Sequence, residues 1–78
     1  MRISDELAAS LREDGITQEA INTALEIGRK SGDVILDEEN GCLITHAKIE
    51  EITLWVKFRE VGDDVEVLDA YYHRMNFS

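Results

Sequence analysis

The chain contains no proline, a single cysteine and only eight lysine and arginine residues among 78. The lone Cys42 excludes an internal disulfide, and nothing in this cysteine usage indicates an oxidising compartment. No stretch approaches the roughly 20 apolar residues of a membrane-spanning helix, and the acidic N-terminal segment lacks the apolar run of a signal peptide. We therefore expect one cytoplasmic domain over residues 1–78, without a membrane partner.

Basic residues are scarce beside 17 acidic ones, which gives the chain a formal net charge of −9. Nucleic-acid binding depends on Lys and Arg that neutralise phosphates, so this balance argues against a general DNA or RNA binder. The middle of the chain is the acidic pole, formed by Asp33, Asp37, Glu38, Glu39, Glu50 and Glu51. Such a pole permits a basic protein partner, although a solvated surface is the commonest reason for acidity.

The first third of the chain carries the signals of two helices. Ser4 and Thr17 are N-cap residues that precede segments with apolar residues at helical spacing. Gly15 and Gly32 supply the left-handed residues that commonly end helices. Helices are therefore predicted over about residues 4–14 and 18–30.

From Asp33 onward the hydrophobic period changes to two residues, which predicts strands. The Asn40-Gly41 pair is a strong hairpin signal because both turn positions need positive φ. The predicted strands span residues 34–36, 43–49, 52–60 and 65 to about 75. The expected fold is α+β, with two N-terminal helices packed on one face of a four-stranded antiparallel meander sheet, which covers about residues 33–76.

The third strand assigns the two faces of this sheet. Alternation places Leu54, Val56 and Phe58 on the core face, with Trp55 and Lys57 on the other face. A two-residue Glu50-Glu51 turn then pairs His46 with Trp55.

Two registers are open for the last hairpin. A two-residue loop pairs Phe58 with Val67 but places the Asp69 carboxylate on the core face, where an unpaired charge is costly. A three-residue loop pairs Phe58 with Leu68 and Trp55 with Tyr71, and its fault is a smaller repulsion between Glu60 and Glu66. We favour the three-residue loop; a bulge near Val67 would satisfy both halves.

The favoured register creates the row His46–Trp55–Tyr71 across the sheet, beside the row Lys48–Thr53–His73. Trp and Tyr are typical interface anchors, and small monomers rarely expose a contiguous apolar patch. The candidate binding residues are His46, Trp55, Tyr71, His73, Arg74 and Ile44. The first hypothesis is a small acidic accessory or regulatory subunit, not an enzyme, that binds a second copy of itself or a larger protein through this face.

The alternative is a small metal-independent enzyme, such as an RNase-like toxin, that uses His46, His73 and Arg74 for acid–base chemistry and anion binding. The element order, two helices and a meander, resembles that of small ribonuclease toxins of the RelE type, which are usually basic. Cys42 and His46 stand about 13 Å apart on one strand, too far to chelate one ion. We therefore assign no catalytic residue, metal or cofactor.

Overall fold

The computed structural model describes residues 1–74, which form two helices followed by a four-stranded sheet. The elements are α1 (Asp5–Glu13), α2 (Gln18–Ser31), β1 (Val34–Asp37), β2 (Cys42–Ile49), β3 (Ile52–Val61) and β4 (Asp64–Arg74). The strands are antiparallel and lie in chain order β1-β2-β3-β4. The predicted α+β meander is confirmed, while the predicted end of the last strand near Met75 lies outside the described residues.

Each helix begins at its predicted cap residue. The Ser4 hydroxyl accepts a hydrogen bond from the Leu7 N–H at 3.1 Å, and the Thr17 hydroxyl accepts one from the Ala20 N–H at 3.1 Å. These bonds satisfy donors that have no partner inside the helix. Helix α2 ends at Gly32, which adopts a left-handed φ of 77°. No helix within residues 1–74 is long and apolar enough to cross a membrane.

Helix α2 approaches β2 most closely where Gly28 faces Thr45. A Cβ atom added to Gly28 would overlap Thr45 Oγ1 and lie 2.9 Å from Thr45 Cβ, which is inside any permitted non-bonded contact. Thr45 is fully buried, and its hydroxyl donates to the carbonyl of Asp33 at 2.8 Å. The absence of a side chain at Gly28 therefore sets the distance between helix and sheet, and the Thr45 hydroxyl ties the start of β1 to β2.

The core lies between the helices and one face of the sheet. Leu54, Val56 and Phe58 of β3 are almost completely buried there, as the alternation predicts. Helix α2 packs on β2 and β3, whereas α1 contacts β4. The residues that complete the buried cluster are Leu11, Ile16, Ile21, Ala24, Leu25, Ala47, Val65, Val67 and Ala70.

The last hairpin differs from the favoured register near its tip. Phe58 pairs with Val67, so the predicted pairing of Phe58 with Leu68 is wrong. Glu60 pairs with Val65, which removes the expected repulsion with Glu66. The tip thus has the two-residue Gly62-Asp63 connection.

Beyond the tip, the hairpin returns to the favoured register. Leu68 is the unpaired residue of a β-bulge, because Phe58 pairs with Val67 and Lys57 pairs with Asp69. Trp55 consequently pairs with Tyr71, as the three-residue loop predicts. A bulge lets both halves of β4 place apolar residues on the core face while Asp69 stays outside.

The turn between β1 and β2 also differs from the expected hairpin turn. Within residues 38–41, only Gly41 has positive φ, at 64°. Asn40 instead donates through its backbone N–H and Nδ2 to the Asp37 carboxylate, at 3.4 and 2.8 Å. Side-chain bonds of this kind stabilise the four-residue connection 38–41, in which Asn40 lacks the positive φ that the Asn-Gly signal predicts.

Candidate binding site on the outer sheet face

The sheet side opposite the helices, here called the outer face, carries a row of stacked rings. His46 pairs with Trp55, and Trp55 pairs with Tyr71, so the predicted row spans three strands. The His46 and Trp55 ring centroids lie 4.6 Å apart at an interplanar angle of 26°, and the Trp55 and Tyr71 centroids lie 6.2 Å apart at 7°. His73 contacts Tyr71 edge-on, with centroids 6.2 Å apart. We call His46, Trp55 and Tyr71 the aromatic row, and His73 flanks it in the neighbouring row.

The two adjacent tyrosines lie on opposite sides of the sheet. Tyr71 is 46% exposed and belongs to the aromatic row, whereas Tyr72 pairs with Leu54 and is 41% exposed. Tyr72 borders an open groove of about 210 Å³ together with Ile16 and Ile52. The bulge at Leu68 is the cause, because it determines which of the two tyrosines faces outward.

Aliphatic side chains extend the outer face beside the aromatic row. Ile44 is half-buried and pairs with Ile35 on one side and Lys57 on the other. Ile35 is 55% exposed, although it lies in a strand. The predicted binding residue Ile44 therefore lies next to the row, and Ile35 enlarges the apolar surface toward the edge of the sheet.

Charged residues are distributed unevenly along the strands of the outer face. The end near the β1–β2 turn carries carboxylates at Asp37, Glu66 and Asp69, together with the cations Lys57 and Arg59. The opposite end carries the row Lys48–Thr53–His73. We call these the acidic end and the basic end after their strand residues alone, without the turns at Glu38-Glu39 and Glu50-Glu51. The aromatic row lies between them.

The charges of the acidic end are held by local contacts. The side-chain amide of Asn40 donates to Asp37 and lowers the pKa of that carboxyl, and the charge of Lys57 lowers it further to a smaller extent. Arg59 forms an ion pair with Glu66 across β3 and β4. Asp69 accepts a hydrogen bond from the backbone N–H of Ala70 at 2.8 Å. These contacts keep the charges at defined positions on the face.

The two histidines proposed for the enzymatic alternative lie on separate strands, and the side chain of Arg74 lies outside the part of the chain that the structure describes. His46 on β2 and His73 on β4 are separated by β3, a spacing of about 10 Å between their strands. Nδ1 of His46 is buried and has no hydrogen-bond partner within residues 1–74. Arg74 pairs with Ile52 through the backbone. General acid–base catalysis needs groups within hydrogen-bond reach of one reacting atom, which two histidines on separate strands do not supply by themselves.

Cys42 is a free cysteine and is buried, with Sγ 3.9 Å from a carboxylate oxygen of Asp37. Within residues 1–74, no group of three His, Cys, Asp or Glu side chains is placed to hold a metal ion. The thiol is therefore a packing residue at the acidic end of the outer face.

The sequence predicts Ile35 as aliphatic surface beside the site but not as a binding residue, and it predicts Leu68 on the core face opposite Phe58. Both are exposed in the structure. The sequence signal for the bulge at Leu68 is a change of phase within segment 65–72. Its apolar residues follow one alternating phase up to Val67 and the other phase from Ala70.

No family model matches the chain, and neither a curated protein nor a solved structure shows significant similarity to it.

Proposed function

We propose that the protein is a small cytoplasmic, non-enzymatic accessory or regulatory subunit that binds through its outer face to a second copy of itself or to a larger protein. Trp55 and Tyr71 are its anchors. The observation that carries this proposal is the aromatic row, an ordered stack of rings on a sheet face that the helices do not cover.

The row supports binding because its rings are ordered before any partner arrives. Tyr71 stacks on Trp55 and meets His73 edge-on, so the rotamers of all three rings are restricted. Binding normally costs free energy for each side chain that must be immobilised, and preordered rings reduce that cost. Large aromatic side chains also dominate the energetics of many interfaces.

The surroundings of the row fit the same role. Ile35 and Ile44 add aliphatic area, Lys48 and Lys57 lie in the rows next to the rings, and Arg59 lies one row farther. Protein interfaces commonly combine an apolar or aromatic centre with a polar rim. The acidic turns at Glu38-Glu39 and Glu50-Glu51 lie beyond this rim, where they would accelerate encounter with a basic partner.

Tyr71 and Tyr72 provide a matched pair of variants that tests the proposal. The two residues are adjacent, identical and similarly exposed, but only Tyr71 belongs to the outer face. Tyr71→Ala and Trp55→Ala should reduce the sedimenting mass or the recovery of a partner in affinity capture from cell extract. Tyr72→Ala should leave both unchanged.

The proposal fails if Tyr71→Ala and Trp55→Ala assemble and capture partners like the unmodified protein. It also fails if Tyr72→Ala produces the same loss, because the effect would then not belong to the outer face. His73→Ala provides the comparison with the enzymatic alternative. Loss of a measurable RNA-cleaving turnover in His73→Ala, without any change in assembly among the row variants, would favour an enzyme.

A further inference from the structure

We propose that the outer face pairs with the same face of a second copy, with a two-fold axis that runs along the aromatic row in the plane of the interface. This inference rests on the proposed function and adds the partner and its orientation. Two sheets that pack face to face lie about 10 Å apart. The uneven distribution of charged and aliphatic side chains on the outer face supports this arrangement.

A rotation about the aromatic row reverses the direction of the strands. The basic end of each copy then lies over the acidic end of the other. His73 is one row from Tyr71 toward the basic end, and Asp69 is one row from Tyr71 toward the acidic end of the same strand. The rotation therefore places His73 opposite Asp69 of the second copy, and symmetry produces this contact twice.

The other positions are also compatible with this axis. On β2, Lys48 and Ile44 flank His46, so the aliphatic stem of Lys48 lies over Ile44 of the second copy. A buried methylene stem with its ammonium group at the rim is a favourable use of lysine. On β3, Thr53 lies over Lys57 of the second copy. No carboxylate of the rows next to the axis is placed against another carboxylate.

The competing axis runs parallel to the strands through β3. That rotation keeps the strand direction and exchanges β2 with β4. Lys48 would then lie over His73 of the second copy, and the aliphatic Ile44 would lie over the charged Asp69. The axis along the aromatic row is therefore favoured, because it places the Asp69 carboxylate against the His73 imidazole and Ile44 against an aliphatic stem.

The outer face is large enough for a modest interface. Four strands spaced about 4.8 Å apart, with up to eight residues each, present a flat area of roughly 500 Å² per copy. Two copies thus bury about 1,000 Å² before surface relief is counted, which lies at the lower limit of stable interfaces. We therefore expect a dimer that dissociates on dilution.

The acidic turns oppose this association. The rotation brings the turn at Glu38-Glu39 toward the end of the second copy that carries Glu50-Glu51. These turns are exposed, and at about 0.15 M salt charges are screened over about 8 Å. Association should therefore be measured at that ionic strength, where the repulsion between the turns is reduced but the close His73–Asp69 contact persists.

The test uses two charge variants, His73→Glu and Asp69→Lys. Sedimentation equilibrium should show a concentration-dependent dimer for the unmodified chain and a dimer dissociation constant raised about tenfold for each variant alone. His73→Glu places a second carboxylate against Asp69, and Asp69→Lys removes the carboxylate that faces the His73 imidazole. An equimolar mixture of the two variants should dimerise again. In the mixed pair, the glutamate introduced at position 73 of one chain meets the lysine introduced at position 69 of the other, while the unmodified His73 and Asp69 meet at the second contact.

Cross-linking tests the axis while His73 and Asp69 stay unchanged. In a Cys42→Ser background, a mixture of Thr53→Cys and Lys57→Cys chains should be joined by a short bismaleimide, whereas Thr53→Cys chains should not be joined to one another. Cross-linking of Thr53→Cys to itself would overturn the axis. A monomer at every concentration would overturn the dimer, while the Tyr71–Tyr72 comparison in affinity capture would still decide the proposed function separately.

Discussion

The two faces of β3 differ in how their side chains are ordered. Leu54, Val56 and Phe58 point toward the helices and are covered by them almost completely. Trp55, between Leu54 and Val56 in the chain, is ordered by the rings of His46 and Tyr71 on the neighbouring strands. One face is therefore completed by a second layer of structure, and the other by contacts within its own layer.

Because of this difference, side chains on the outer face can be ordered without being buried. Core residues gain free energy by removing apolar area from water, so their contribution depends on the helices above them. Ring contacts in a row contribute about 0.5–1.5 kcal/mol per aromatic pair and leave the ring edges accessible. The outer face can thus be rigid and still have apolar area available for another protein.

Truncation of two successive residues of β3 tests the difference between its two faces most directly. We expect Leu54→Ala to lower the free energy of unfolding by about 3 kcal/mol, because it leaves a cavity in a fully buried site. Trp55→Ala should cost about 1 kcal/mol in dilute solution, since it removes ring contacts from a half-buried position. Urea unfolding followed by circular dichroism measures both. Equal losses would mean that the outer face acts as a second core.

A second variant tests how the core face is completed. Gly28→Ala should lower the free energy of unfolding by about 2 kcal/mol, because the added methyl group meets Thr45 and forces α2 away from the sheet. The direction of this change in the free energy of unfolding is informative, since Ala at an ordinary helical position is more favourable than Gly by about 1 kcal/mol. The same substitution should cost less in a Thr45→Ala background, measured by thermal unfolding. Stabilisation by Gly28→Ala would contradict the close contact.

The smallest expected effect concerns the charges at the acidic end of the outer face. Asn40→Ala should raise the pKa of Asp37 toward its ordinary value, because the amide bond to the carboxylate is lost. Lys57→Ala should raise that pKa less, since the charge of Lys57 has a weaker effect than the Asn40 bond. Titration of the Asp37 side-chain carbon by nuclear magnetic resonance measures both shifts.

The depressed pKa of Asp37 also determines the direction of the pH effect. The folded carboxyl binds its proton at lower pH than the unfolded one, so its stabilising contribution is present above the unfolded pKa. That contribution is lost as the pH falls through the folded pKa. In Asn40→Ala, acidification should therefore remove less of the free energy of unfolding. A pKa of Asp37 that does not respond to Asn40→Ala would contradict the assigned hydrogen bond.

Most of the fold follows from local signals in the sequence. Ser4 and Thr17 begin the helices where their side chains can cap free N–H groups, and Gly32 ends α2 with positive φ. The alternation in β3 identifies the core face because a strand has no other way to bury Leu54, Val56 and Phe58 together. These signals involve neighbours in the chain, so they can be read without tertiary structure.

The errors arise where competing contacts decide the structure. In β4, one register would place the Asp69 carboxylate on the core face, and the other would pair Glu60 with Glu66 at the tip. The bulge at Leu68 avoids both costs. At Asn40, bonds to Asp37 replaced the backbone turn that the Asn-Gly pair predicts. The pairing of His46 with Trp55 was predictable because its register follows from a two-residue turn at Glu50-Glu51, whereas the pairing of Trp55 with Tyr71 depends on the register of the last hairpin. The ring orientations were not predictable, since they depend on side-chain packing.

The bulge at Leu68 has a consequence for how the length of this chain can vary. Removing Leu68 alone would leave Val65, Val67 and Ala70 in a single alternating phase, with every other residue of β4 on its present face. The strand therefore has one residue more than regular alternation requires, and a deletion at this position would preserve the surface formed by Trp55 and Tyr71. A deletion between Asp64 and Val67 would instead shift the hairpin tip. Natural variants of this protein that differ in length should have their gaps at the bulge.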